Sequence, residues 1–137
     1  MEFPKEITSL PRIFDYLNTF FRQQDADQNI VFALNLAVEE IFTNLVKYNS
    51  DSTRPIRIRL KKNGRKISVS ISDFTTKPFD ITRHKNTVHS LPLEERPAGG
   101  LGLRLVKKMT DEVHYDYNKK TREYTITLVK YLGDRNV

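Results

Sequence analysis

Three stretches of the chain place reactive residue types at useful spacings. Gly99-Gly100-Leu101-Gly102-Leu103 leads into Leu105, Val106 and Met109, which recur as on a helix. Glycines let a backbone approach a ligand closely, and a helix start offers unpaired N–H groups to an anion, so this segment suits phosphate. Glycines ahead of a helix also serve plain tight turns, and the segment needs company. Glu40 and Asn44 stand four residues apart, a spacing that points both side chains of a helix toward one cleft. A carboxylate there can take a proton from a hydroxyl or water, and an amide oxygen can join a Mg²⁺ shell. The same two residue types are also ordinary on a solvated helix face. Asp73 closes an alternating apolar run. Its acceptor-only carboxylate can receive the exocyclic N–H of an adenine at the floor of a pocket, or simply cap a turn.

The elements that must position these residues follow from periodicity. Glu2 to Thr8 reads as a short strand held to a sheet edge by Pro4. Leu10, Ile13, Phe14, Leu17, Phe20 and Phe21 predict an amphipathic helix from Leu10 to Gln23, with Ser9 as its cap. A longer helix over about 28–48, entered through Asp25 or Asp27, carries a core stripe of Val31, Leu34, Val38, Ile41 and Leu45. Rotated from that stripe lies the row Ala33, Ala37, Glu40, Asn44 and Lys47. Ile56, Ile58 and Leu60 alternate with basic residues, Asn63-Gly64 signals a hairpin, and Ile67, Val69 and Ile71 form the returning strand. Residues 74–98 show no period and form a long irregular segment, a length usually found in functional loops. Two more strands, around Val113 to Tyr117 and Tyr124 to Tyr131, close the chain across Asn118 to Thr121. The expected architecture is α+β: a two-layer sandwich in which a mixed, largely antiparallel sheet of about five strands is covered on one face by three helices.

Bulk properties narrow the chemistry. A chain of 137 residues with 38% hydrophobic and 29% charged residues supports one domain with one core. It has no cysteine, and His84, His89 and His114 lack zinc spacing, so any metal is expected on oxygen ligands. No continuous apolar run reaches membrane-spanning length, and Met1-Glu2-Phe3-Pro4 does not open a secretory signal; the expectation is a cytoplasmic protein with no membrane partner. The net charge of +6 favours anionic ligands or partners. Its densest cluster, Arg54, Arg57, Arg59, Lys61, Lys62, Arg65 and Lys66, surrounds the first hairpin. A nucleic-acid-binding domain is one reading of it, but the hairpin offers few aromatic residues for stacking bases.

The segment Leu36-Ala37-Val38-Glu39-Glu40-Ile41-Phe42-Thr43-Asn44 resembles the N-box of the GHKL ATPases and kinases, in particular their anti-sigma-factor branch. Val69-Ser70-Ile71-Ser72-Asp73 resembles the start of the same branch's adenine box. Gly99 to Val106, followed by Asp111-Glu112-Val113-His114-Tyr115, resembles its second glycine box and the strand after it. The resemblance covers almost the whole chain. It implies a histidine-kinase-like ATPase fold in which ATP and Mg²⁺ are bound. Glu40 would be the general base and Asn44 the Mg²⁺ ligand. Asp73 would read adenine, with Gly99, Gly100, Leu101, Gly102 and Leu103 around the triphosphate and 74–98 as an ATP lid. It further implies a homodimer with two kinds of partner: a sigma factor held inactive, and an anti-sigma-factor antagonist phosphorylated on serine or threonine. Direct contact with nucleic acid is not expected.

Two positions depart from that pattern. Thr75 stands where a glycine is usual, and a β-branched residue does not readily take positive φ, so the adenine pocket is expected to be reshaped. Tyr48 replaces a frequent histidine. Beside the kinase reading stands a module of the same fold that keeps its partner surface and has lost turnover.

Overall fold

A computed structural model of the protein describes residues 1–49, 52–75 and 100–133, with backbone only for 100–103. The order of elements is β1 (Glu2–Phe3), a 3₁₀ turn (Ile7–Ser9), α1 (Leu10–Gln23), α2 (Gln28–Tyr48), β2 (Ile56–Asn63), β3 (Lys66–Phe74), α3 (Gly100–Met109), β4 (Glu112–Asn118) and β5 (Glu123–Tyr131). The strands form a five-stranded sheet in the order β1-β2-β3-β5-β4, and each described pairing is antiparallel, with no parallel component.

The sheet is a layer because its strands alternate. Ile56 and Ile58 on β2, Ile67, Val69 and Ile71 on β3, and Tyr124, Ile126 and Leu128 on β5 are buried. The intervening residues face away; there the hydroxyls of Ser70 and Thr127 lie 3.0 Å apart and those of Ser72 and Thr125 2.8 Å apart. Helix α2 fills the other side of the core through Ile30, Leu34, Val38, Ile41, Phe42 and Leu45. By length and composition α2 is apolar enough to cross a bilayer, with a mean hydropathy of 1.3 in its most apolar window. Its buried side chains account for that apolarity as those of a core helix.

Local chemistry sets most of the boundaries. Asp27 is the N-cap of α2, accepting from the Ile30 N–H at 3.0 Å, while Asp25 sits before it with positive φ. Ser9 precedes α1 but does not cap it, because its hydroxyl donates back to the Pro4 carbonyl at 2.7 Å. That bond, with Glu6 N–H to Pro4 O, bends the chain early, so the strand expected over Glu2–Thr8 is only two residues long. It does lie at the sheet edge, pairing Phe3 with Ile56.

In the first hairpin Asn63 pairs with Lys66, so the two-residue loop is Gly64-Arg65 rather than Asn63-Gly64. Only Gly64 takes the left-handed conformation there, φ +64°, the pattern of a type II′ connection with glycine first. Gly64→Ala should therefore destabilise the fold by about 1 kcal/mol in urea unfolding. Asp27→Ala should cost about 1 kcal/mol by the same measurement, through loss of the α2 cap.

Candidate functional site

The row of α2 that carries Glu40 and Asn44 begins with Ala33 and Ala37, both buried, and passes outward to half-buried Glu40 and Asn44 and exposed Lys47. The 3.6-residue period places this row beside, not within, the stripe that packs on the sheet. Helix α3 packs against α2 through buried Val106, and its last turn is tied down by Thr110, whose hydroxyl donates to the Val106 carbonyl at 2.8 Å. Gly100, Leu101, Gly102 and Leu103 form the first turn of α3. Their backbone N–H groups are those a helix start leaves without intrahelical partners. Gly99 lies outside the described residues, as does the expected lid from residue 76 onward.

Asn44 has its Nδ2 buried and unpartnered among the described residues. A buried amide left in that state costs free energy unless something polar reaches it. Glu40 is half-buried and makes no ion pair or hydrogen bond among the described residues. No cluster of three His, Cys, Asp or Glu side chains exists among the described residues. A cation here would rest on the Asn44 Oδ1 and on oxygens brought by its ligand, which is how Mg²⁺ is commonly held beside phosphates. The orphaned Nδ2 is a donor and suits an acceptor such as a phosphate oxygen, which fits the phosphate-bearing ligand the sequence implies.

The base end is different. Asp73, last but one in β3, is fully buried, and its carboxylate is already occupied. Lys5 Nζ lies 2.8 Å from Oδ2, Asn49 Nδ2 donates to the same oxygen at 2.8 Å, and the Phe74 N–H donates to Oδ1 at 2.8 Å. Lys5 is itself enclosed, with its side chain 7% exposed, and its ammonium also donates to the carbonyls of Asn49 at 2.6 Å and Ser52 at 3.0 Å. Three donor hydrogens thus meet three oxygens. Asn49 is the C-cap of α2, so the cation also sits at the negative end of that helix. Tyr124 is buried beside this cluster, and its phenol is pushed far above the usual range, by burial first and by the Asp73 charge second. The carboxylate expected to read adenine is therefore clasped by a lysine that the sequence reading passed over.

Thr75 follows directly on the end of β3. Among described non-glycine residues only Asp25 and Arg122 take positive φ, so Thr75 does not adopt the left-handed conformation that a glycine would allow. Its N–H donates to the Arg122 carbonyl at 2.9 Å and its own carbonyl accepts from the Tyr117 hydroxyl at 2.9 Å. Arg54 stacks over the Phe74 ring, 3.6 Å from its centroid, and covers the same end.

Along α2, Asn44 and Glu40 precede Asn49 by five and nine residues, roughly 7 and 13 Å at the usual rise. Asp73 and the Glu40–Asn44 pair thus lie at the same half of one helix, joined through Asn49. Signals for Lys5 and Asn49 were absent from any local pattern, because their partners are distant in sequence.

A family model for the histidine kinase-like ATPase domain matches residues 3–130, and the chain belongs to that family. Among solved structures, one chain of the crystal structure of the SiaB-SiaC complex from Pseudomonas aeruginosa shares the fold. Its TM-score is 0.65 at 12% sequence identity, with 94% of this chain and 86% of that chain covered. No curated protein matches the chain.

The clasp gives a direct stability test. Lys5→Met strands a buried carboxylate and should cost about 3–5 kcal/mol in urea unfolding, with part of the loss recovered in Lys5→Met/Asp73→Asn. A single-variant cost below about 1 kcal/mol would mean that the pair holds nothing together.

Proposed function

We propose that the protein is a cytoplasmic ATP-binding regulator of the anti-sigma type that phosphorylates a serine or threonine on a partner protein. The observation that carries the reading is the pairing of half-buried Glu40 with Asn44, whose Nδ2 is buried and unpartnered among the described residues, on one face of α2. Membership of an ATPase-domain family and a fold neighbour solved as a two-protein complex support it. In this reading Asn44 holds Mg²⁺, and the first turn of α3, with Gly99 ahead of it, faces the phosphates through backbone N–H groups. ATP supplies the transferable phosphoryl group. Glu40 accepts the proton of the partner's hydroxyl, and the rest of the catalytic effect is positioning and charge stabilisation. The partners are a sigma factor and an anti-sigma-factor antagonist, met by a homodimer.

One observation favours a second reading. The Lys5–Asp73 pair takes up the carboxylate that such a site uses for adenine, as in a module that binds partners without nucleotide.

Calorimetric titration with ATP, with and without Mg²⁺, separates the two. The kinase reading expects Mg²⁺-dependent micromolar binding that Asn44→Ala weakens by about tenfold or more, the range for loss of a charge-assisted contact. Glu40→Gln should keep that binding and lower phosphotransfer by about 10²–10⁴-fold, the usual contribution of a general base. No binding to the folded parent would leave the partner-binding module as the function.

A further inference from the structure

A site that selects adenine through a carboxylate relies on an acceptor that the exocyclic amine can reach. The same free carboxylate repels the carbonyl oxygen that guanine carries at that position, so the discrimination works in both directions. Neither effect is available to Asp73 in this protein. Its negative charge is neutralised by Lys5 at 2.8 Å, its Oδ2 accepts two donors, its Oδ1 accepts the Phe74 N–H, and none of the residue is exposed. Lys5 cannot replace it as a reader of guanine, since its ammonium is committed to Asp73 and to the carbonyls of Asn49 and Ser52.

We infer that Lys5 acts as a specificity-determining residue: by occupying Asp73 it removes base readout, so that the site holds a purine nucleoside triphosphate by its phosphates and metal and treats ATP and GTP alike. The inference rests on the nucleotide-binding reading given above. Lys5 touches no nucleotide in this account; it acts through Asp73. Burial of the pair supports the assignment, because freeing Asp73 for a base would require breaking a buried ion pair and leaving the ammonium with only its two carbonyl partners.

The test is calorimetric titration of the intact protein with ATP and with GTP, both in the presence of Mg²⁺. Dissociation constants that differ by less than about tenfold are expected, since Asp73 no longer distinguishes the two bases. A preference of tenfold or more for ATP overturns this inference and leaves the nucleotide-binding reading standing. Failure of both nucleotides to bind the folded protein overturns both. Lys5→Met, which removes the cation and one donor from Asp73 and leaves its charge unneutralised, is expected to move the ratio to tenfold or more in favour of ATP. A Lys5→Met protein that folds and still binds both equally overturns the role given to Lys5. If that variant does not fold, the ratio measured on the parent decides, with Asp73→Asn as the second variant. Asp73→Asn should change ATP and GTP binding by the same factor, and a loss confined to ATP overturns the inference.

Discussion

The constraint on which the rest depends is that α2 must bury one stripe on the sheet while a neighbouring row stays available. Leu34, Val38, Ile41 and Leu45 meet the buried faces of β2, β3 and β5, and this fixes the rotation of the helix about its axis. Once the rotation is fixed, Glu40 and Asn44 have no freedom to choose their direction. Ala33 and Ala37, small and buried at the head of the same row, let another element come close to the helix there. The direction of this row is thus a by-product of core packing.

Much of this architecture was readable from residues alone because its determinants are local. The bounds Leu10–Gln23 and Gln28–Tyr48 follow from apolar spacing and, for α2, from an aspartate at its entry, of the two candidates Asp25 and Asp27 the latter being the cap. The hairpin follows from one glycine between two alternating segments, although the glycine opens the loop and Asn63 ends the strand. The short β1 was overestimated because nothing local announces that Ser9 and Glu6 bond back to Pro4. In the last hairpin, Arg122 takes a left-handed conformation that its type would not suggest, held by Asn118, whose carbonyl accepts from Arg122 and whose side chain accepts from Lys120 and Thr121.

The candidate site was legible in the same uneven way. Glu40 and Asn44 were visible because helical spacing brings them together, and Thr75 was flagged because its side chain limits its backbone. Lys5 was invisible. It is one lysine in a basic chain, and its value comes from oxygens on Asn49, Ser52 and Asp73 that only the folded chain assembles. Its charge would be placed on the surface by any rule based on residue type, whereas three acceptors make burial tolerable.

That assembly also bears on how long the folded protein persists. The clasp joins Lys5, two residues beyond β1, to the end of α2, the loop at Ser52 and the end of β3, with Lys5 and Asn49 separated by 44 positions. Contacts between such distant pieces reward the chain only after their intervening loops have closed, so these bonds form late. Interactions absent from the transition state slow unfolding without speeding folding. The Lys5–Asp73 ion pair is therefore also a kinetic latch, holding the native state shut once the helices and the sheet have already formed.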